Sequence, residues 1–136
     1  MIRTRVKVAL ASIFVVFATM SQAGCFRCAP VFNVIDAPVT TAAAGQLTEE
    51  QVRSAIVRAG IALGWKMRDE GPGKLAATIA LRAHTAEVEI TFSPKQYSII
   101  YKNSTNLDAA DGQIHKNYNG WIQNLERGIV AQFALV

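Results

Sequence analysis

Strict two-residue alternation from Ala86 to Phe92 constrains the possible folds more than any other feature of this sequence. Its apolar residues are Ala86, Val88, Ile90 and Phe92, and its polar residues are Glu87, Glu89 and Thr91. Successive side chains of a β-strand point to opposite faces of a sheet, so the two sets face opposite ways. The pattern predicts a sheet with one face in a core and the other face in water.

The segments around this stretch predict its neighbouring strands. Trp65 to Glu70 and Lys74 to Arg82 flank Gly71-Pro72-Gly73, whose residues supply positive φ and a fixed φ, so the pair is typical of a hairpin. Another turn, Ser93 to Gln96, precedes alternating residues from Tyr97 to Tyr101. The sequence therefore predicts a four-stranded antiparallel meander.

Two helices are predicted, one before and one after these strands. Thr48-Glu49-Glu50-Gln51 is a capping box that begins the first helix, and Gly64 is a suitable end for it. The second helix is predicted from about Gln113 to Phe133 because one apolar stripe runs along it, formed by Ile114, Tyr118, Trp121, Leu125 and Ile129. The order helix, four strands, helix predicts an α+β two-layer sandwich with both helices packed on one face of the sheet.

The N-terminus has the layout of a secretory signal peptide, which we predict for residues 1–24. Arg3, Arg5 and Lys7 precede an uncharged apolar run from Val8 to Met20, and small and polar residues follow it. At about 13 residues, this run is shorter than the roughly 20 residues that a membrane-spanning helix needs. The sequence therefore predicts export from a bacterial cytoplasm.

Two cleavage sites compete at the end of this leader. Ser21-Gln22-Ala23 has the small-x-small pattern of ordinary signal peptidase and predicts a soluble periplasmic chain. Ala23-Gly24-Cys25 resembles the end of a bacterial lipobox, in which Cys25 is lipidated and anchors the chain to a membrane. A lipobox has an aliphatic residue where this chain has Gln22. The lipid anchor is the favoured alternative, and the membrane is then a partner of the chain through Cys25.

About 112 residues follow the leader, which is enough for one domain with one core. Residues 25–46 are predicted to be an extended N-terminal segment and linker, because Val31 to Val39 alternates weakly and contains Pro38. It is typical of an edge strand or an extended lead-in. Residues 47–136 are predicted to be a single α+β domain.

The charge of the chain excludes one class of partner. The chain has 14 basic and 10 acidic residues, but three of the basic ones belong to the leader, which leaves 11 against 10. A nucleic-acid-binding protein needs a clustered basic face to neutralise phosphates, and the remaining basic residues are scattered. We expect no nucleic-acid partner.

The motifs that could carry catalysis or hold a metal are weak. Cys25-Phe26-Arg27-Cys28 has the spacing of a redox pair, but Pro30 and an extended segment follow it instead of the helix that lowers a thiol pKa in such enzymes. The two histidines fall short of the three or four ligands that zinc normally takes. The sequence predicts no enzyme activity, no cofactor and no metal.

Polar residues that could bind a ligand or a partner are Arg82, His84, His115 and Asn119. Arg82 and His84 end a predicted strand, and a polar loop predicted after the last strand contains Asn103, Ser104 and Asn106. His115 and Asn119 are one turn apart on the second predicted helix and lie off its apolar stripe. The sequence does not determine whether the last strand ends beside His84.

One set of short motifs extends over nearly the whole chain after the leader: Pro30 to Val34, Gly64-Trp65, Pro72-Gly73, Arg82-Ala83-His84 with Ala86 and Val88, Tyr97 to Tyr101 with Ser104 and Leu107, and Ile114 to Trp121. In the order of these motifs the chain resembles an uncharacterised family of small proteobacterial envelope lipoproteins. This resemblance implies an α+β domain at the periplasmic face of the envelope and implies no activity.

These features together predict an exported envelope lipoprotein with a non-enzymatic binding or adaptor domain. Its partner would be another envelope protein, bound through the open sheet face or the edge near His84 and His115. The alternative is a periplasmic domain that binds a small ligand through Arg82, His84 and His115. A thiol-disulfide enzyme is the third hypothesis.

Overall fold

A computed structural model of the protein describes residues 24–136. The predicted signal peptide therefore lies, apart from Gly24, outside the described residues. The elements are β1 (Cys28–Pro30), β2 (Val34–Pro38), α1 (Glu49–Ala62), β3 (Lys66–Asp69), β4 (Lys74–Leu81), β5 (His84–Phe92), β6 (Gln96–Thr105), β7 (Gln113–His115) and α2 (Lys116–Phe133). Within this part of the chain, neither helix is long and apolar enough to cross a membrane.

The main sheet has five antiparallel strands in the order β2-β6-β5-β4-β3, and β1 pairs with β7 in a separate two-stranded sheet. The α+β class is confirmed, but the predicted number of four strands is wrong because β2 adds a fifth strand beside β6. Asp36 has a φ of 50° inside β2, and the pairing with β6 shifts register there. This irregularity and Pro38 weaken the alternation, so the sequence left an edge strand and an extended lead-in as alternatives for this segment, and the structure has the edge strand.

The first helix begins where the sequence predicts. Thr48 accepts a hydrogen bond from the Gln51 backbone N–H, and the Gln51 side chain accepts one from the Thr48 N–H. The helix ends before Gly64, which has a φ of 88°. The capping box and the glycine thus fix both ends of α1 by local interactions.

The second helix begins at Lys116, three residues later than the sequence predicts. Gln113 to His115 pair with β1 instead, and the His115 ring caps the helix by accepting a hydrogen bond from the Asn117 N–H. Ile114 is fully buried, as the apolar stripe requires, but it is buried from a strand. Since a short strand and a helical turn can both bury one residue, the stripe alone did not locate the helix start.

Both helices cover the apolar face of the main sheet and contact each other. Tyr97 and Tyr101 of β6 form edge-to-face aromatic pairs with Phe133 and Tyr118 of α2. At α1, a Cβ added to Gly60 would clash with the Met67 side chain of β3, so the helix approaches the sheet closely there. The largest fully buried side chains are Tyr97, Tyr118, Phe133, Ile56, Leu75, Ile90, Ile99, Leu107, Ile114, Ile122, Leu125 and Ile129.

One residue of the predicted α2 stripe is replaced in the core. Trp121 is only partly buried, whereas its neighbour Ile122 is fully buried. Tyr118, Leu125 and Ile129 are fully buried as the stripe predicts. The shift by one residue turns the bulky indole to the edge of the helix layer.

Candidate functional site

The turn between β4 and β5 presents Arg82 at one end of the main sheet. Leu81 pairs with His84, so Arg82 and Ala83 form the two-residue connection between the strands. Arg82 has a φ of 57°, which is uncommon for a residue with a side chain. Arg82 and Ala83 are exposed, and Leu81 is 42% exposed beside them. The turn therefore projects a cation and an apolar side chain into solvent.

Asn106 fastens this turn to the end of β6. Its side-chain amide donates to the Ala83 carbonyl at 2.7 Å, and its own carbonyl accepts from His84 Nδ1 at 2.8 Å. Asn106 also has a positive φ, 59°. These reciprocal bonds hold the backbone of the turn and the His84 ring in fixed positions.

His115 lies next to the same loop. Its backbone N–H donates to the Leu107 carbonyl at 2.8 Å, and Leu107 directly follows Asn106. Thr85 pairs with Thr105, so the last strand ends beside His84, which the sequence had left open. We refer to Arg82, Ala83, His84, Asn106 and His115 together as the hairpin rim.

Asn119, another candidate binding residue, uses both atoms of its side-chain amide in hydrogen bonds to the backbone of the N-terminal segment. Its Oδ1 accepts from the Phe32 N–H at 2.9 Å, and its Nδ2 donates to the Pro30 carbonyl at 2.9 Å. The side chain thereby fastens the N-terminal segment to the first turns of α2. His115 similarly uses its Nδ1 to cap α2. A binding role for these two residues stays a prediction.

Cys25 and Cys28 form a disulfide, with Cα atoms 5.2 Å apart. The Cys25 Sγ lies 3.7 Å from Asp108 Oδ2, although the two residues are 83 positions apart in the chain. A sulfur in a disulfide cannot carry the thioether-linked lipid of a lipoprotein at the same time. Lipidation of Cys25 stays a prediction, and the two states of this sulfur are mutually exclusive.

The open face of the main sheet carries charges that neutralise each other. Glu89 lies 3.1 Å from the Lys74 ammonium and 3.2 Å from that of Lys102, and these hydrogen bonds, the one to Lys74 first, lower the pKa of the Glu89 carboxyl. Arg68 lies near Glu70 and Glu87 on the same face. Arg82 differs, because no ion pair joins it to any acidic residue of the described chain.

Four surface depressions on the described domain have volumes from about 170 to 920 Å³. The largest of these four is lined by Cys25, Cys28, Asp108, Asp111 and neighbouring residues. None of the four has Arg82, His84 or His115 in its wall. The ligand-binding alternative thus gains no cavity from these four depressions.

Sequence reasoning missed the position of Asp108. It is a loop residue with a φ of 52°, and nothing in its immediate sequence indicates a partner near the N-terminus. Pairing of β1 with β7 brings Cys28 opposite His115 and so carries the cysteines to this loop. No local pattern could have revealed this contact.

Comparison with other proteins adds no assignment to this geometry. Neither protein-family models, nor curated proteins, nor solved structures give a match to the chain.

Proposed function

We propose that this chain is an exported, non-enzymatic domain of the bacterial envelope that binds another envelope protein through the hairpin rim. The observation that carries this proposal is Arg82, which is held at positive φ at the apex of the β4–β5 turn by the hydrogen bonds of Asn106. A partner with an acidic edge beside an apolar pocket would match Arg82 and Leu81.

The conformation of Arg82 supports a role beyond connecting two strands. A non-glycine residue at positive φ costs on the order of 1 kcal/mol, and glycine would remove that cost. Strained residues cluster at binding sites, where the geometry of a side chain matters more than stability. The arginine at this position is therefore consistent with a guanidinium that a partner contacts.

The charges of the two exposed regions favour the rim over the open sheet face. On the sheet face, Glu89 is already shared by Lys74 and Lys102, so a partner would have to displace existing ion pairs. The Arg82 guanidinium has no acidic neighbour to displace in the described chain. An arginine beside exposed apolar surface is typical of the residues that dominate binding energy at protein interfaces.

Export and membrane anchoring complete the proposal and have their own test. The layout of residues 1–24 supports cleavage of the leader, and the ending Ala23-Gly24-Cys25 supports lipidation. The intact mass of the protein recovered from envelopes, with and without globomycin, distinguishes an acylated Cys25 from a chain that begins at Gly24 and carries a disulfide. An intact leader on protein recovered from cytosol would contradict the proposal.

Site-specific photo-crosslinking in cells tests the binding surface. A photoreactive amino acid at Ala83 should give a discrete crosslinked adduct, whereas the same residue at Lys95, exposed in the β5–β6 turn at the other end of the sheet, should not. Arg82→Gly keeps the turn geometry and should abolish the adduct formed from Ala83. Equal labelling from Ala83 and Lys95, or an adduct that Arg82→Gly leaves unchanged, would rule out the rim as the binding surface.

A further inference from the structure

Three side chains that can bind a metal meet at the N-terminal segment. The ligand atoms of Cys25, Cys28 and Asp108 all lie within 4.8 Å of one another. The Cys25 Sγ is 3.7 Å from the Asp108 carboxylate, and the Cys28 Sγ is 4.0 Å from the Asp108 backbone carbonyl. Both sulfurs thus approach the same loop residue.

The separation between Cys25 and Asp108 suits two ligands of one tetrahedral cation, and reduction of the disulfide frees the two sulfurs to move apart. Zinc binds sulfur at about 2.3 Å and carboxylate oxygen at about 2.0–2.2 Å, so a sulfur and an oxygen on one ion lie roughly 3.5 Å apart. The Cys25–Asp108 separation of 3.7 Å is close to this value. Two cysteines separated by two residues are also a usual ligand spacing in zinc sites.

The cluster is accessible to an ion from solvent. It forms part of the wall of the depression of about 920 Å³, together with Asp111 and Gln113. Cys25 and Cys28 are half-buried, and Asp108 is exposed. An ion bound to the three side chains would therefore keep a side open to water.

We propose that, in a chain whose Cys25 carries no lipid, Cys25, Cys28 and Asp108 bind Zn²⁺ when the disulfide is reduced. A dithiol reductant transfers two electrons and two protons to the Cys25–Cys28 disulfide and itself becomes a disulfide. Zn²⁺ then displaces both thiol protons to solvent and is held by two thiolates, one carboxylate and a water molecule. A disulfide oxidant then accepts two electrons from the thiolate pair and two protons from solvent and becomes a dithiol, which re-forms the Cys25–Cys28 bond and releases the ion, so binding depends on the redox state.

The proposal is tested on the full chain made in a reducing cell-free system with detergent, in which Cys25 keeps its thiol. Cd²⁺ serves as the spectroscopic probe, because thiolate ligands give an ultraviolet charge-transfer band, and Zn²⁺ should displace it competitively. We expect one ion per chain in the reduced protein and none in the oxidised protein. Cys28→Ser should abolish the band, and circular dichroism reports whether each variant is folded.

Asp108 is tested against a matched neighbour. Asp108→Asn removes the anionic ligand while keeping a residue that tolerates positive φ, and it should weaken Zn²⁺ binding by on the order of 10- to 100-fold. Asp111→Asn is the control, since Asp111 also has a positive φ and lines the same depression but does not belong to the cluster. It should leave the affinity unchanged.

Two outcomes overturn the metal site. One is binding by the reduced wild type that is no tighter than binding by Cys28→Ser. The other is an Asp108→Asn affinity equal to that of Asp111→Asn. Neither outcome bears on the hairpin rim, whose crosslinking test uses other residues, so the two proposals fail separately.

Discussion

The two ends of the main sheet are built in different ways. At one end, which we call the closed end, Gly71, Pro72 and Gly73 connect β3 to β4, and the Gly73 carbonyl accepts a hydrogen bond from the Phe92 N–H at 2.9 Å. At the hairpin rim, Arg82 and Ala83 connect β4 to β5 without a glycine. The closed end uses the residue that adopts positive φ without strain, whereas the rim places an arginine in that conformation.

A partly buried cation on the helix side of the sheet also holds the closed end. Arg53 of α1 donates from Nη2 to the Gly71 carbonyl at 2.9 Å, and its guanidinium lies 5.0 Å from the centre of the Phe92 ring. Its Nη1 is 3.1 Å from Asp69 Oδ1, close enough for an ion pair but not aligned for a hydrogen bond. The contrast teaches that the closed end is arranged for stability, while the rim retains strain and an unpaired cation at its tip.

The largest effect is expected from Gly73→Ala at the closed end. A Cβ at this position would lie 2.8 Å from the Phe92 carbonyl oxygen, and the backbone has a φ of 64°. Strain and overpacking together should lower the free energy of unfolding by about 3 kcal/mol. Urea unfolding measures this loss of stability. A loss as small as that of an exposed surface substitution would contradict the close approach of Gly73 to the Phe92 carbonyl.

Alkaline pH should lower the free energy of unfolding through Tyr97, whose hydroxyl is buried near the closed end. Burial, and secondarily the charge of Glu126, raises the pKa of Tyr97 to about 12. Because the unfolded tyrosine ionises near pH 10, its contribution to stability is complete below about pH 10 and is lost as the pH rises to about 12, a change of about 2–3 kcal/mol. Tyr97→Phe should therefore lose less stability than the wild type over this range.

The matched comparison for that experiment is urea unfolding of both proteins at pH 9, 10, 11 and 12. Parallel pH profiles would show that the Tyr97 hydroxyl is not buried as described.

A somewhat smaller effect is expected from Arg53→Met. The change removes a charge-assisted hydrogen bond and a cation–π contact while keeping the apolar stem, so we expect a loss of about 2 kcal/mol. Arg58→Met is the control, because Arg58 lies on the same helix and is exposed, with a single side-chain bond to Gln132. Equal thermal midpoints for Arg53→Met and Arg58→Met would show that Arg53 stabilises the closed end no more than an exposed arginine of the same helix does.

Asn106→Gly should loosen the β4–β5 turn and lower the free energy of unfolding moderately. Glycine keeps the positive φ and removes the 2.7 Å hydrogen bond to the Ala83 carbonyl, so the expected loss is about 1 kcal/mol. Hydrogen exchange of the His84 amide, which pairs with Leu81 next to the turn, should accelerate, while exchange of the Phe92 amide, which donates to the Gly73 carbonyl, should not change. Unchanged exchange at the turn would show that Asn106 does not fasten it.

The smallest effect is expected from Arg82→Gly, and it has the opposite sign. Glycine relieves the positive φ of 57°, so the free energy of unfolding should rise by about 0.5–1 kcal/mol while the crosslink from Ala83 disappears. A gain of stability with a loss of binding is the signature of a residue kept for a partner. A destabilised variant would show that the arginine serves the fold.

Elements defined by local sequence patterns could be predicted in this protein, and elements defined by long-range pairing could not. The α1 capping box, the hairpin at Gly71 to Gly73 and the alternation of β5 are local patterns, and each element is where the sequence predicts it. The edge strand β2 lies in a segment for which the sequence left an edge strand and an extended lead-in as alternatives, because a bulge at Asp36 interrupts its alternation. The start of α2 is not where the sequence predicts it, because the pairing of β7 with β1 depends on residues far away in the chain.

The candidate site was predicted in part for the same reason. Arg82 and His84 were predicted at the end of a strand, and the structure places them at the β4–β5 turn and brings His115 to the loop beside them. Asn119 instead holds Pro30 and Phe32, which no pattern within α2 could indicate.

The sequence by itself determined the periodicity, the caps and the glycine turn, since these depend on the conformations of residues a few positions apart. The tertiary structure alone decided that Asn106 holds the β4–β5 turn and that Asp108 lies against Cys25. Both contacts join segments brought together by strand pairing over long distances in the chain, and such pairing is set by burial of the whole core.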